Sequence, residues 1–384
     1  MTRDLILVAV SLFTWGLGEG MFLFFQPLYL QQLGADPRAI GGILGGVGIA
    51  MTVAHLPAGY LSDRFGQRPL MWASWIIALA ATGIMALSTS MAMFIVGMLL
   101  YAFTAFVVSP MNSYVAAMRG KLGVGWVFSI MQSMYNLGAV IGPTLGGIIA
   151  QQSSIIIIYR WAFLVFCVST AIIFFIRKTI PQAHFESQPG EHAFTNRRFL
   201  ALLPFLFLTT FAAYLPQPLT PNFLQNQRHL TLEEIGNLGS IGSLGTAVIF
   251  LTLGKLNPIL GLVLGQAFIG LYAGFLWQGN ATIWYMLSFF FLGGFRLSRS
   301  MGSAITQSMV HINSTGIAFG TVEAVNGLAM FLAPLLAGFL FEQQPELVYL
   351  VSLVLIFASI SLNIWLLPGL KSKKTEGQLA ANLE

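Results

Sequence analysis

Four ionisable residues lie well inside long apolar stretches of this chain: Glu19, Arg296, Arg299 and Glu323. A charge in hydrocarbon costs several kcal/mol or more unless it is paired or wetted, so each is a candidate for function rather than for packing. Glu19 is a carboxyl that can pass between neutral and charged forms as its surroundings change, the chemistry of a coupled proton. Arg296 and Arg299 are three residues apart, hence neighbours on one helical surface, and repel unless a carboxylate or an anionic ligand lies beside them. At about 1.5 Å per residue, Arg296 and Glu323 both lie roughly 12 Å from the same membrane boundary and Glu19 about 21 Å from it. Glu323 is therefore the expected partner of Arg296, and an anionic substrate held by the arginines is the alternative.

Other site chemistries are not legible. His55, His184, His192, His229 and His311 are dispersed and form no metal-ligand spacing. There is no Gly-x-x-x-x-Gly-Lys phosphate loop, which argues against ATP-driven work. The lone Cys167 lies in an apolar run and excludes an intrachain disulfide and a cysteine metal cluster. No cofactor, no metal and no enzymatic step are expected, and a proton gradient is the expected driving force.

The elements that must position these residues are membrane spans. Of 384 residues, 56% are hydrophobic and only 8% charged, with mean hydropathy +0.79, a surface no soluble core can hide. Twelve apolar segments are expected at 5–30, 40–60, 70–88, 91–116, 125–149, 155–176, 199–224, 234–254, 258–277, 281–303, 315–341 and 347–367, each long enough to cross about 30 Å of hydrocarbon as a helix. The first is too long and too rich in Gly, Gln and Pro for a signal-peptide core and is expected to stay as a helix. Arg160 lies near enough to the outer end of the sixth to snorkel. The 32 phenylalanines and 16 methionines are expected to serve packing and lipid contact before any adaptable pocket.

The net charge of +5 comes from basic residues scattered singly and in pairs along the loops, which speaks for topology and against nucleic acid. Arg3, Arg64, Arg68, Arg119, Lys121, Arg177, Lys178, Arg197, Arg198, Lys255, Lys371, Lys373 and Lys374 fall on one face, and little beyond Arg38 and Arg228 on the other. Both termini are thus expected in the cytoplasm, with the protein in the plasma membrane. The chain divides into a six-helix bundle (1–178), a polar linker (179–198), a second bundle (199–370) and a tail (371–384). A repeat supports the split: at one constant offset Gln26-Pro27-Leu28 falls on Gln217-Pro218-Leu219, and Gly125, Pro143 and Gly147 on Gly316, Pro334 and Gly338.

Between the second and third segments stands a charged turn, Gly59-Tyr-Leu-Ser-Asp63-Arg64-Phe-Gly66-Gln-Arg68. Its pattern Gly-x-Leu-x-Asp-Arg-x-Gly-x-Arg resembles the signature loop of the major facilitator superfamily of secondary transporters, with Gln67 where a second basic residue is common. The fifth segment carries Gly138-x-x-x-Gly142-Pro143-x-x-Gly146-Gly147, which lets a neighbouring helix approach closely and resembles the corresponding motif of the family's drug and proton antiporters. That motif's upstream glycine is Ser129 here, and Met98 to Phe103 supply no arginine to the fourth segment. The resemblance implies an all-α fold of twelve transmembrane helices in two pseudo-symmetric bundles, alternating access, a small-molecule substrate, lipid surroundings and a monomer. It also implies that Asp63 braces the start of the eleventh helix as part of a cytoplasmic gate. Proton-coupled efflux of small hydrophobic compounds is the favoured function. A carrier of sugars or organic anions is the rival within transport, and a non-transporting membrane protein or membrane-embedded enzyme the rival outside it.

Overall fold

The computed structural model describes residues 1–55, 58–178, 196–310 and 315–370; most of the expected linker and the whole expected tail lie outside these. Among the described residues the regular elements are all helical. Eleven helices are long and apolar enough to cross a membrane. The twelfth crossing is the tenth segment, where Thr282–Phe291 and Gly294–Met309 meet at a bend, and neither half spans alone. The bend falls where neighbouring spans press in: a Cβ on Gly293 would stand 2.6 Å from Thr246 Cα, and one on Gly294 2.7 Å from Phe268 Cβ.

Two further breaks follow from proline. The first segment forms Arg3–Leu23 and Gln26–Gln32, with Pro27 in the opening turn of the short helix. The seventh forms Arg197–Tyr214 and Thr220–Asn226, with Pro221 in the same position. Proline suits that place because its φ is preset and the N–H it lacks would be unpaired anyway. The repeated Gln-Pro-Leu triplets thus mark equivalent breaks, although the second triplet forms the turn before its helix. The fourth span bends instead through a 3₁₀ stretch, Thr104–Val107, between Met91–Phe103 and Val108–Met118.

The charged turn is a short helix, Ala58–Phe65, followed by Gly66 and the third span, Gln67–Ala86. Gly66 has φ +82°, a left-handed backbone that glycine adopts without a steric penalty. Arg68 stacks 4.0 Å over Trp72 and Arg64 lies 5.5 Å over Phe65. The Asp63 side chain, the surroundings of Gly59 and the residues leading into the eleventh span lie outside the described residues, and so does the expected brace between them.

The glycines of the fifth span, Val124–Gln152, serve packing. A Cβ on Gly138 would strike the Phe13 carbonyl oxygen, one on Gly142 would lie 2.5 Å from the Leu17 oxygen, and one on Gly146 would strike the Met21 oxygen. The first span answers with Gly16 against the Tyr135 carbonyl and Gly20 against Pro143. Gly147 faces away from this pair, its missing Cβ 2.7 Å from the Leu232 oxygen at the start of the eighth span, Leu232–Leu253. Lipid offers helices no hydrophobic reason to associate, so this backbone-to-backbone contact is what binds them.

Gly142→Ala should accordingly destabilise the protein by about 1–3 kcal/mol, the usual cost of overpacking. Gly125→Ala in the same helix, with nothing within 4 Å of the added carbon, should leave the melting temperature unchanged or slightly raised. Thermal melts of the two detergent-purified variants check this pair, and equal behaviour would remove the glycine line as a packing surface.

Candidate functional site

The first six and last six spans meet at one end. In the second span, Pro37–His55, Gly41 packs on the Pro334 carbonyl and Gly45 on Phe331, while Gly338 of the eleventh span returns the contact against Pro37 and Arg38. Gly236 packs on the Pro143 carbonyl, and the Thr144 hydroxyl lies 2.8 Å from that of Ser240 and donates to Asn237 Oδ1 at 2.9 Å. Gln31 accepts from Asn222 at 2.5 Å and from Asn226 at 3.0 Å. Arg38 pairs with Glu342 beside the same seam. All these contacts lie at the membrane face opposite the one carrying Arg3, Arg64 and Arg119. Toward that other face Gly125 and Gly320 have nothing within 4 Å, and Trp126 and Ile317 are exposed. Among the described residues the packing between the two sets runs from the seam along the second and eleventh spans as far as Thr52, which lies against Gly327.

Glu19 lies partway along the first span, half-buried. Its Oε2 accepts from Trp15 Nε1 at 3.2 Å and from the Tyr135 hydroxyl at 3.0 Å. The Tyr101 hydroxyl also faces it, buried. Trp15 packs edge-on against Trp75 and Phe166 at 4.6 and 5.1 Å, and Phe22 against Tyr101 at 5.1 Å. The carboxyl therefore sits in an aromatic wall. Trp15, Tyr101 and Tyr135 were not singled out from the sequence. Trp15 is four residues before Glu19 and so on its helical face, which is a signal; Tyr101 and Tyr135 carry none.

The arginines correct the expected pairing. Glu323 bonds to Arg299, 2.6 Å from guanidinium nitrogen to Oε2, and not to Arg296. Arg299 also reaches Met330 Sδ at 3.7 Å and lies 5.9 Å over Phe295. Arg296 is exposed and faces Tyr135 and Glu19 on the first six spans. Depth along a helix was the basis for pairing Arg296 with Glu323. Depth does not give rotation, and three residues apart on the one helix Gly294–Met309 the two arginines reach different neighbours. Mutual repulsion is relieved by two separate acids. His55, at the end of the second span, faces the Arg299–Glu323 pair. Arg160 is exposed beside a small apolar groove with Gly83, Leu87 and Phe163, as a snorkelling residue should be. Among the described residues no cluster of His, Cys, Asp or Glu is suited to a metal ion.

The chain matches the family model described as Major Facilitator Superfamily over residues 8–295 and 202–381. It is 32% identical over 156 residues to an uncharacterised MFS-type transporter of Methanocaldococcus jannaschii, covering 40% of each chain. It is 24% identical over 208 residues to the multi-drug resistance efflux pump PmrA of Streptococcus pneumoniae, covering 52% of this chain and 51% of that one. The matches thus span about half, or less, of these relatives' length. A solved mutant of the nucleoside transporter NupG superposes with TM-score 0.82 at 15% identity, covering 94% of this chain and 99% of that one, a likeness of fold.

The Arg299–Glu323 pair has side chains 28% and 46% exposed, so water screens it and its net worth is about 1 kcal/mol or less. A double-mutant cycle on Arg299→Gln and Glu323→Gln should return a small favourable coupling in melting temperature, and the cycle on positions 296 and 323 none. Coupling at 296 and 323 with none at 299 and 323 would reverse the assignment.

Proposed function

The chain belongs to the major facilitator superfamily and is a transporter rather than an enzyme, and on that premise we propose that it exports small hydrophobic compounds by proton-coupled alternating access. The observation that carries this reading is Glu19: a carboxyl partway along a span, bonded by two neutral donors and within electrostatic reach of Arg296 of the other set of spans, where we place the transport opening. Neutral donors hold a carboxyl in place without discharging it, so a proton or another cation must do that as the site opens to one side and then the other. The similarity to an efflux pump supports the hydrophobic substrate class. The basic loops support an orientation in which the face carrying Arg3, Arg64 and Arg119 is cytoplasmic, the side from which an exporter loads. Asp63, Arg64, Gly66 and Arg68 are proposed as part of the gate on that face, and the protein is proposed to act as a monomer.

A carrier of organic anions is the second reading, favoured by the exposure of Arg296 in the opening. Liposomes containing the purified protein and a hydrophobic fluorescent dye separate the two. An imposed pH gradient should drive dye movement in the wild type. Glu19→Gln should abolish that drive while leaving the melting profile close to wild type. Undiminished proton-driven movement in Glu19→Gln would move coupling elsewhere, first to Glu323.

A further inference from the structure

Three arginines lie toward the face opposite Arg3, Arg64 and Arg119, and two of them have partners in the protein. Arg38 pairs with Glu342. Arg228 donates to the Leu276 and Trp277 carbonyls at 3.3 and 2.9 Å and lies 5.0 Å over Phe223. The third, Arg160, is exposed and makes no ion pair, hydrogen bond or ring contact among the described residues. It stands five residues into the sixth span, Ile155–Ile173, roughly 8 Å inside that end at about 1.5 Å per residue. A long basic side chain at this depth brings its charge to the headgroups while its stem stays in hydrocarbon. The neighbouring Trp161 is also exposed, as indoles are at the membrane boundary.

Arg160 shares a groove of about 210 Å³ with Gly83 and Ala86 of the third span, Leu87 just after it, and Phe163 and Leu164 of the sixth. Every side chain of that lining except the arginine is apolar. The groove owes its room to Gly83, where even a Cβ would stand 3.1 Å from the Phe163 ring. Leu87 and Leu164 are exposed at its edge and no residue of the second set of spans lines it, so it opens to the bilayer and not to the seam.

We propose that this groove binds one phospholipid with an anionic headgroup, its acyl chain lying over Gly83 between the third and sixth spans and its phosphate held by Arg160. Charge complementarity selects the occupant. A guanidinium matches two phosphate oxygens with parallel N–H groups, and a headgroup without a cation of its own leaves that charge to the arginine. Snorkelling alone accounts for an arginine at this depth but assigns no role to the groove that Gly83 opens beside it. Both spans belong to the first set, so the lipid braces that set from outside. The proposal uses neither Glu19 nor the arginines of the tenth span, and it stands or falls apart from the export reading.

The test counts bound lipid by native mass spectrometry on delipidated, detergent-purified protein titrated with dioleoylphosphatidylglycerol, dioleoylphosphatidylcholine or inorganic phosphate. Wild type should retain one phosphatidylglycerol in preference to phosphatidylcholine. Arg160→Gln should weaken that lipid about tenfold, the scale of a hydrogen bond to a charged group, and Arg160→Lys, a point charge without the fork, should fall between. Gly83→Leu should weaken it too, by filling the groove with Arg160 intact; if that variant does not fold, Gly83→Ala carries the comparison. Arg38→Gln, which removes another charge from the same face, should leave the affinity unchanged. Equal retention of the two lipids by wild type, or an Arg160→Gln that binds no more weakly than Arg38→Gln, overturns the site. Loss in Arg160→Gln with full affinity in the Gly83 variants, or inorganic phosphate binding as tightly as the lipid, makes Arg160 a surface anion contact and overturns the lipid.

Discussion

Close backbone contact between helices is the constraint on which the rest of this molecule depends. In lipid, association must come from packing and from polar contacts, because the tails are as apolar as leucine. The chain meets that demand with glycine set against carbonyl groups, Gly138, Gly142 and Gly146 on the first span and Gly16 and Gly20 on the fifth. The consequence is functional as well as structural. Two helices that touch at their backbones cannot rotate against one another, so the Tyr135 hydroxyl stays 3.0 Å from Glu19. The same chemistry repeats at the seam, where Gly41 meets Pro334 and Gly236 meets Pro143. There it joins the two sets of spans, and Gly327 against Thr52 continues the contact along the second and eleventh.

Within each set of spans, clusters of buried polar groups are paired with one another. Ser11 and Ser169 hydroxyls lie 3.0 Å apart and Trp75 Nε1 donates to Ser11 at 2.8 Å. In the second set Gln266 Nε2 donates to Ser359 at 2.6 Å and Asn363 Nδ2 donates to Gln266 Oε1 at 3.0 Å. Gln266 in the second set, like Trp75 in the first, buries a donor that finds an oxygen. An unpaired polar group in this setting would cost on the order of several kcal/mol, and satisfying it inside each set of spans favours motion as rigid units. At the seam the partners are instead carboxamides and hydroxyls near one face, Gln31 with Asn222 and Thr144 with Ser240. Such bonds can be exchanged for water when the seam parts, at a net cost of about 1 kcal/mol each.

The membrane class, eleven of the twelve spans nearly as drawn, the charged turn and the candidacy of Glu19 were all legible in the residues, because each depends on local composition. Hydropathy is a sum along the chain, and a carboxyl in an apolar run is conspicuous wherever it is bonded. Spacing also placed Arg296 and Arg299 on one surface. The break in the tenth span was not legible: Gly293 and Gly294 look like many other glycines here, and only the spans pressing on them make a bend of them. Nor was it legible that Arg299, and not Arg296, would pair with Glu323. The rise per residue supplies depth, which is one coordinate. The rotation of a helix is decided by contacts between segments far apart in sequence, and Tyr101 and Tyr135 reach Glu19 through contacts of that kind.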